Sequence, residues 1–303
     1  MKKCLICSNE FNPFVDFGSM PIANAFSTKK ELENEYFFPM QVGFCETCKM
    51  VQLLEQPDRE KMFHDSYAFF SSTSNYMINH FKKFANSVSS LQNLSKKSFV
   101  VEIGSNDGIM LQNFVSDNIP CLGVEPSKNV AHVAMERGIE VTTEFFDRPL
   151  AEKISKTHQK ADAILSANVM CHIPYMHSIF EGVKALLKND GVFIFEDPYL
   201  GEIIEKTSFD QIYDEHVFLF SALSVSHIVK KHDLELINVE PQITHGGSMR
   251  YTIAHNGVKK VSENVLSLIG KEKQMRLDKK EAYMDFTDNV NKIKKDLIEL
   301  LTK

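Results

Sequence analysis

Apolar and polar positions change rhythm along this chain, and the longest regular stretch begins at Ser98. From there, short apolar runs alternate with segments whose apolar residues recur at three- and four-residue steps. The runs predict strands over 99–103, 121–125, 140–142, 161–167, 192–196, 236–240 and 248–255. The stepped segments predict helices over 110–117, 129–137, 149–156 and 176–187. Strands that alternate with helices make a mostly parallel, doubly wound sheet. Only a short turn around Pro241 separates the last two strands, so they are expected to pair as an antiparallel hairpin.

The flanks read differently. Residues 1–60 are rich in Phe, Pro and short polar turns and show no long helical period, which predicts a small loop-and-hairpin module. Its core is too small to fold alone, and a structural metal helps in that situation. Over 61–97, Met62, Phe63, Tyr67, Phe69, Phe70, Tyr76, Met77, Phe81 and Phe84 recur at mixed helical spacing, and 76–94 reads as a helix leading into the sheet. In 261–303, Leu266, Ile269, Met275, Tyr283, Phe286, Val290, Ile293, Leu297 and Leu300 fall at helical steps among many charges. One or two amphipathic helices are expected there, lying on the sheet domain or on a partner or second copy.

Composition narrows the class. The 303 residues are 43% hydrophobic and 24% charged, as in an ordinary globular chain. A formal charge of −6, from 40 acidic and 34 basic residues, does not suit a binder of nucleic-acid backbone. No apolar run approaches the roughly 18 residues that span a bilayer. The start, Met1-Lys2-Lys3-Cys4, lacks the apolar stretch of a secretory signal, so a cytoplasmic location is the default expectation.

Of six cysteines, four form two Cys-x-x-Cys pairs, Cys4/Cys7 and Cys45/Cys48. In a reducing compartment such pairs are metal ligands before they are disulfides. Each two-residue spacer forms a tight knuckle, and two knuckles complete a tetrahedron of thiolates with no open position, which predicts a structural zinc ion. Redox dithiols would need a thioredoxin-like context that is absent, and a nucleic-acid zinc ribbon would need a basic face where Glu10, Asp16 and Glu46 stand. Cys121 and Cys171 sit in apolar surroundings and read as small buried residues.

The first predicted strand runs into Glu102-Ile103-Gly104-Ser105-Asn106-Asp107-Gly108. This is neither the dinucleotide fingerprint nor a P-loop. Gly104 and Gly108 permit a tight turn and a close backbone approach to a ligand. Glu102, Asn106 and Asp107 crowd that turn with acidic and amide groups, which suits cationic S-adenosylmethionine and repels phosphate. Glu125 ends the second strand, where a carboxylate can take both ribose hydroxyls. Phe145 and Phe146 follow the third strand and are placed to flank adenine, while Asn168 follows the fourth and borders the methionine moiety. His172 lies in the segment facing substrate. Five parallel strands closed by an antiparallel pair are the arrangement of class I methyltransferases: an α/β, Rossmann-like, seven-stranded sheet, here preceded by a zinc-binding module.

At this point the chain resembles the zinc-containing sugar C-methyltransferases that act on nucleotide-linked 4-keto sugars. The carrying segments are the four cysteines, Pro21-Ile22-Ala23-Asn24-Ala25-Phe26, Met62 to Ser72, Glu102 to Gly108, Tyr213-Asp214-Glu215-His216 and His245-Gly246-Gly247-Ser248-Met249-Arg250. The resemblance implies that Tyr213, Glu215, His216 and Tyr67 line a sugar pocket, with Ser71, Ser72, His172, His245 and Arg250 on the substrate side. A tyrosine often found beside the serine pair is replaced by Phe69 or Phe70. The family also implies a third, C-terminal Rossmann-like domain. The chain stops at Lys303 after what reads as its lead-in helix, so that domain is expected to be missing: lost, cut or supplied by another polypeptide.

Methyl transfer to carbon needs a carbanion equivalent, formed at carbon beside a ketone once a base removes its proton and the enolate oxygen is stabilised. His216, near an ordinary imidazole pKa of about 6.5, is the candidate base. Tyr213 and Tyr67 are candidate donors to the enolate oxygen, and Glu215 is placed to hold a sugar hydroxyl. Methylation of oxygen or nitrogen on another small molecule or glycan intermediate, and a cofactor-binding partner protein without catalysis, remain as alternatives. Four regions follow: zinc module 1–60, linking helical segment 61–97, cofactor domain 98–260 and terminal helices 261–303.

Overall fold

The computed structural model describes residues 2–24, 26–57, 62 and 69–303. Two short strands, β1 (Lys2–Lys3) and β2 (Glu10–Phe11), form the first cysteine hairpin. Then β3 (Pro13–Pro21), β4 (Phe37–Phe44) and β5 (Val51–Leu53) make an antiparallel sheet. Helix α1 (Asn75–Gln92) begins where the Ser74 hydroxyl accepts from the Met77 amide at 3.3 Å and ends at Asn93 in the left-handed conformation. It buries Phe81, Phe84, Ala85 and Val88.

The alternating region follows: β6 (Val100–Ile103), α2 (Leu111–Ser116), β7 (Cys121–Val124), α3 (Lys128–Glu136), β8 (Glu140–Thr142), α4 (Arg148–Thr157), β9 (Ala161–Ala167), α5 (Met176–Leu186) and β10 (Leu187–Pro198). After α6 (Leu200–Lys206), β11 (Phe218–Leu219) and α7 (Ala222–Lys230), β12 (Leu234–Gln242) and β13 (Ser248–His255) complete the sheet. Its seven strands run in the order β12-β13-β10-β9-β6-β7-β8. Neighbours from β10 to β8 pair in parallel, and β13 is antiparallel to both β10 and β12. Two apolar clusters cover the two faces of this sheet, one holding α5 and α7, the other α1 and α2.

Pro241 is not in the hairpin turn: it lies inside β12, opposite Met249. The edge strand tolerates a residue that cannot donate to a ladder. The chain reverses instead through Thr244–Gly247, where His245, Gly246 and Gly247 all have positive φ.

Strand β11 does not join the large sheet, although Phe218 packs into its core. It pairs with β5, giving a four-stranded sheet in the order β11-β5-β4-β3. The last helices, α8 (Glu263–Gln274) and α9 (Lys280–Leu301), close the circuit. Tyr283 of α9 stacks on Phe44 with centroids 4.3 Å apart, and Tyr283, Phe286 and Val290 share a core with Val15, Phe38 and Val42. The amphipathic C-terminal helix therefore lies on the amino-terminal module, and burial of each such aromatic ring stabilises that contact by about 1.5–3 kcal/mol. Glu272 of α8 is fully buried and accepts from the Ala222 and Leu223 amides at the start of α7, at 2.7 and 2.9 Å, and from the Tyr199 hydroxyl at 3.1 Å.

Candidate active site

The two cysteine knuckles have the same build. The Cys4 amide donates to Asn9 O and the Ser8 amide to Cys4 O; likewise the Cys45 amide donates to Met50 O and the Lys49 amide to Cys45 O. Ser8 and Lys49 hold matching left-handed backbone, with φ of 61° and 62°. Cys4 and Cys48 sulfurs lie 3.5 Å apart, those of Cys7 and Cys45 3.4 Å, and all four fall within 4.8 Å of one another. The Ile6 amide points at the Cys4 sulfur at 3.4 Å, and Asn9 Nδ2 at that of Cys7 at 3.4 Å. Four convergent sulfurs with N–H donors behind them fit a tetrathiolate zinc ion.

A cavity of about 590 Å³ opens at the carboxyl ends of β6, β7, β9 and β10. Two halves compose its wall. On one side stand Gly104, Asn106, Glu125, Phe145, Phe146 and Asn168. Gly104 has φ +69°, and a Cβ there would sit 2.4 Å from a Val169 methyl, so the turn demands glycine for conformation and for space. Gly108 has φ +80° and packs on Ile139 instead of facing the cavity. The Glu125 carboxylate accepts from the Asn106 and Ser127 amides at 2.9 and 2.8 Å. Burial raises its pKa against the pull of those two bonds.

Glu102 and Asp107, expected to bind the cofactor, are buried and absent from the cavity wall. Burial holds Glu102 well above the ordinary carboxylate range, with Glu125 and Asp107 adding repulsion. Asp107 accepts from the amide (3.0 Å) and hydroxyl of Ser72. Ser72 is thus an anchor for the segment leading to α1, while Ser71 reaches the cavity and its amide donates to Asn106 Oδ1 at 3.0 Å.

These residues fit S-adenosylmethionine. The wall carries the carboxylates of Glu125, Asp210 and Glu215 and, among the described residues, no lysine or arginine. The buried Asn168 Oδ1 has no hydrogen-bond partner among the described residues, an acceptor left for a ligand donor such as an ammonium.

The other half gathers Ala23, Asn24, His172, Tyr175, Tyr213, Glu215, His216 and His245. The rings of His172 and His216 stack at 5.4 Å, and those of Tyr213 and His216 lie 4.2 Å apart. His216 Nδ1 donates to the Gln211 carbonyl at 2.6 Å, which leaves Nε2 as the lone-pair nitrogen of the neutral ring. Burial lowers the His216 pKa to about 4, against the opposing bond to Gln211, and drives His172 well below 6.5. The expectation of an ordinary imidazole pKa at His216 is therefore corrected, because tertiary packing removes water from the ring. Burial also lowers His245 and raises Glu215.

Arg250, expected on the substrate side, is absent from the cavity wall. Its guanidinium donates to Glu196 Oε2 at 2.7 and 3.1 Å and lies 3.6 Å above the Phe84 ring. Glu196 also bonds His80 of α1 at 2.7 Å and the Thr244 hydroxyl at 3.1 Å. Burial pushes the Glu196 pKa up, but His80 and Arg250 outweigh it and the net shift is downward. Tyr67 lies outside the described residues. Asn24, Tyr175, Met77 and Phe81 line the cavity without having been singled out for it. For Asn24 the signal was present in the Pro21–Phe26 segment, which had no role attached.

This strand order, glycine turn and acid-lined cavity define a class I S-adenosylmethionine-dependent methyltransferase. Comparison with known proteins agrees: a methyltransferase domain model matches residues 76–239, more than half of the chain, which belongs to that family. A zinc binding domain model matches 4–63, and a C-methyltransferase C-terminal domain model matches 243–303, so the three together are the layout of a C-methyltransferase. The last match overturns the expectation that the C-terminal domain is missing: β13, α8 and α9 lie within it. C-methyltransferase NovU of Streptomyces niveus is 29% identical over 302 residues, covering 99% of this chain and 72% of that protein. Among solved structures, a SAM-dependent methyltransferase from Anabaena variabilis aligns with TM-score 0.44 and 15% identity over 58% of this chain and 84% of its own. One from Clostridium acetobutylicum aligns with TM-score 0.46 and 12% identity over 61% and 94%.

Among the described residues no helix is long and apolar enough to cross a membrane.

Proposed function

We propose that this chain methylates C-3 of a nucleotide-linked 4-keto-deoxysugar through an enolate, with His216 as the base. The observation that carries the reading is the His216 ring held through Nδ1 by the Gln211 carbonyl, in a wall that it shares with Tyr213 and Glu215. Gly104, Asn106, Glu125, Asn168 and the Phe145–Phe146 pair hold the cofactor, and the four cysteines hold zinc. Bound there, S-adenosylmethionine would supply an electrophilic methyl group, the bonding pair staying with sulfur as the leaving thioether. His216 Nε2 takes the proton from the carbon beside the ketone, and the new carbon–carbon bond forms from the enolate. Tyr213, with Tyr67 as the second expected donor, hydrogen-bonds the developing oxyanion. Glu215 holds a hydroxyl of the sugar.

The test is turnover with methyl-13C cofactor and a panel of dTDP-4-keto sugars. A labelled C–CH3 in the product, with solvent deuterium exchange at C-3 that His216→Gln abolishes, supports the reading. A methyl on oxygen or nitrogen, or no turnover with any keto sugar, sinks it.

A further inference from the structure

The acceptor half of the cavity hangs on the zinc module. Strand β11 is an edge strand of the module's sheet, and the Leu53 amide donates to Val217 O at 2.9 Å. Tyr213–His216 therefore lead directly into a strand that belongs, by pairing, to the amino-terminal sheet. The module reaches back from its other end. Beyond β3, the Ala23 amide donates to Asp214 Oδ1 at 3.0 Å, and Asn24 Nδ2 donates to Glu215 Oε1 at 2.7 Å. Both contacts join residues 191 positions apart. Glu215 is buried, and a carboxylate in that state is costly unless its oxygens are held. Asn24 and Glu215 both line the cavity, so the bond lies at the ligand surface.

We propose that Asn24 is a positioning residue: its amide orients the Glu215 carboxylate toward the acceptor, making the zinc module part of acceptor recognition. The inference rests on the reading above in one respect only, that Glu215 touches the acceptor. The amide satisfies one carboxylate oxygen and leaves the other for a hydroxyl of the incoming molecule. Asp214 is the charged neighbour that faces this pair, and its own Oδ1 is engaged by Ala23.

The experiment compares Asn24→Ala, Asn24→Asp, Glu215→Gln and the N24D/E215Q double variant in the full-length, zinc-loaded chain. Asn24→Ala is expected to raise the acceptor KM about tenfold, the worth of one hydrogen bond to a charged group, with S-adenosylhomocysteine affinity by calorimetry unchanged within about twofold. Asn24→Asp is expected to cost more, because two carboxylates then face each other. Added to Glu215→Gln it is expected to cost almost nothing, since the Gln amide donates to the new carboxylate. A readout independent of the acceptor is the carboxyl 13C titration of Glu215, assigned by its disappearance in Glu215→Gln. Loss of the Asn24 donor is expected to move that titration upward. An unmoved titration together with an unchanged KM overturns the proposal. A moved titration in a chain that turns over no keto sugar leaves Asn24 as the residue holding Glu215 and removes the sugar reading instead.

Discussion

The two halves of the cavity are built by different means. The cofactor half comes mainly from one stretch of chain, in which Gly104, Asn106, Glu125 and Asn168 stand just past strands of a single sheet, with Ser71, Met77 and Phe81 added from the segment before it. Its geometry follows from local rules: strand, tight turn, helix. The acceptor half draws on both sheets: the segments near 172 and 245 follow β9 and β12 of the large sheet, while those near 23 and 213–216 adjoin β3 and β11 of the antiparallel sheet that zinc and α9 hold together. The first half depends on the large sheet and on the segment around the start of α1. The second depends on the contact between two sheets, and so is the half that a distant change can disturb.

Removing zinc tests that separation most severely. Structural zinc sites contribute on the order of 10 kcal/mol in small domains, so chelation is expected to unfold the knuckles and abolish acceptor turnover. S-adenosylhomocysteine binding, measured by calorimetry, should survive; its equal loss would show that the halves are not separable.

His216→Gln acts within the acceptor half alone. A fall in kcat of about 10²–10⁴-fold is expected, with cofactor affinity kept. Because His216 is shifted to about 4, the acid limb of kcat/KM in the native enzyme should lie near pH 4, well below 6.5. A limb at 6.5 would remove His216 as the base.

Arg250→Met strikes the join. Glu196 ties α1, whose Met77 and Phe81 reach the cofactor side, to the turn carrying His245. Leaving that carboxylate short of a partner is expected to cost about 3–5 kcal/mol in urea unfolding and to weaken cofactor and acceptor binding together. An effect on one ligand only would place the network within a single half.

The smallest effect concerns pH. Glu272 is raised to about 7, from an ordinary 4.5, chiefly by burial. The folded chain thus keeps its proton where the unfolded chain has lost it. This group's contribution is fully present below pH 4.5 and is lost as pH rises toward 7, by roughly 3 kcal/mol at most. The difference between native and Glu272→Gln unfolding free energies at pH 5, 6 and 7 should show that slope; a flat difference would contradict it.

Legibility in the sequence follows the same division. From Ser98 to Leu186 the strands and helices lie within a few residues of where periodicity puts them, because each buries an apolar face against the sheet, whereas α6 and α7 were not anticipated. Pro241 misled, since a prolyl residue on an edge strand and one in a turn look alike without the partner strand. β11 was invisible: two residues in the apolar run Val217–Phe220 carry no period. Arg250 was placed on the substrate side by the family resemblance, yet in β13 its side chain turns to Glu196. The depressed basicity of His216 and the reach of Asn24 to Glu215 are both consequences of tertiary closure, which no local pattern encodes.

The loan of β11 to the amino-terminal sheet also sets a rule for dissecting or recombining this enzyme. Excising residues 1–57 would strip β11 of its partner β5 and leave bare ladder groups that invite aggregation. A chimaera that imports another acceptor preference must carry 213–220 along with the new module, so that the interchangeable cassette is discontinuous in the gene.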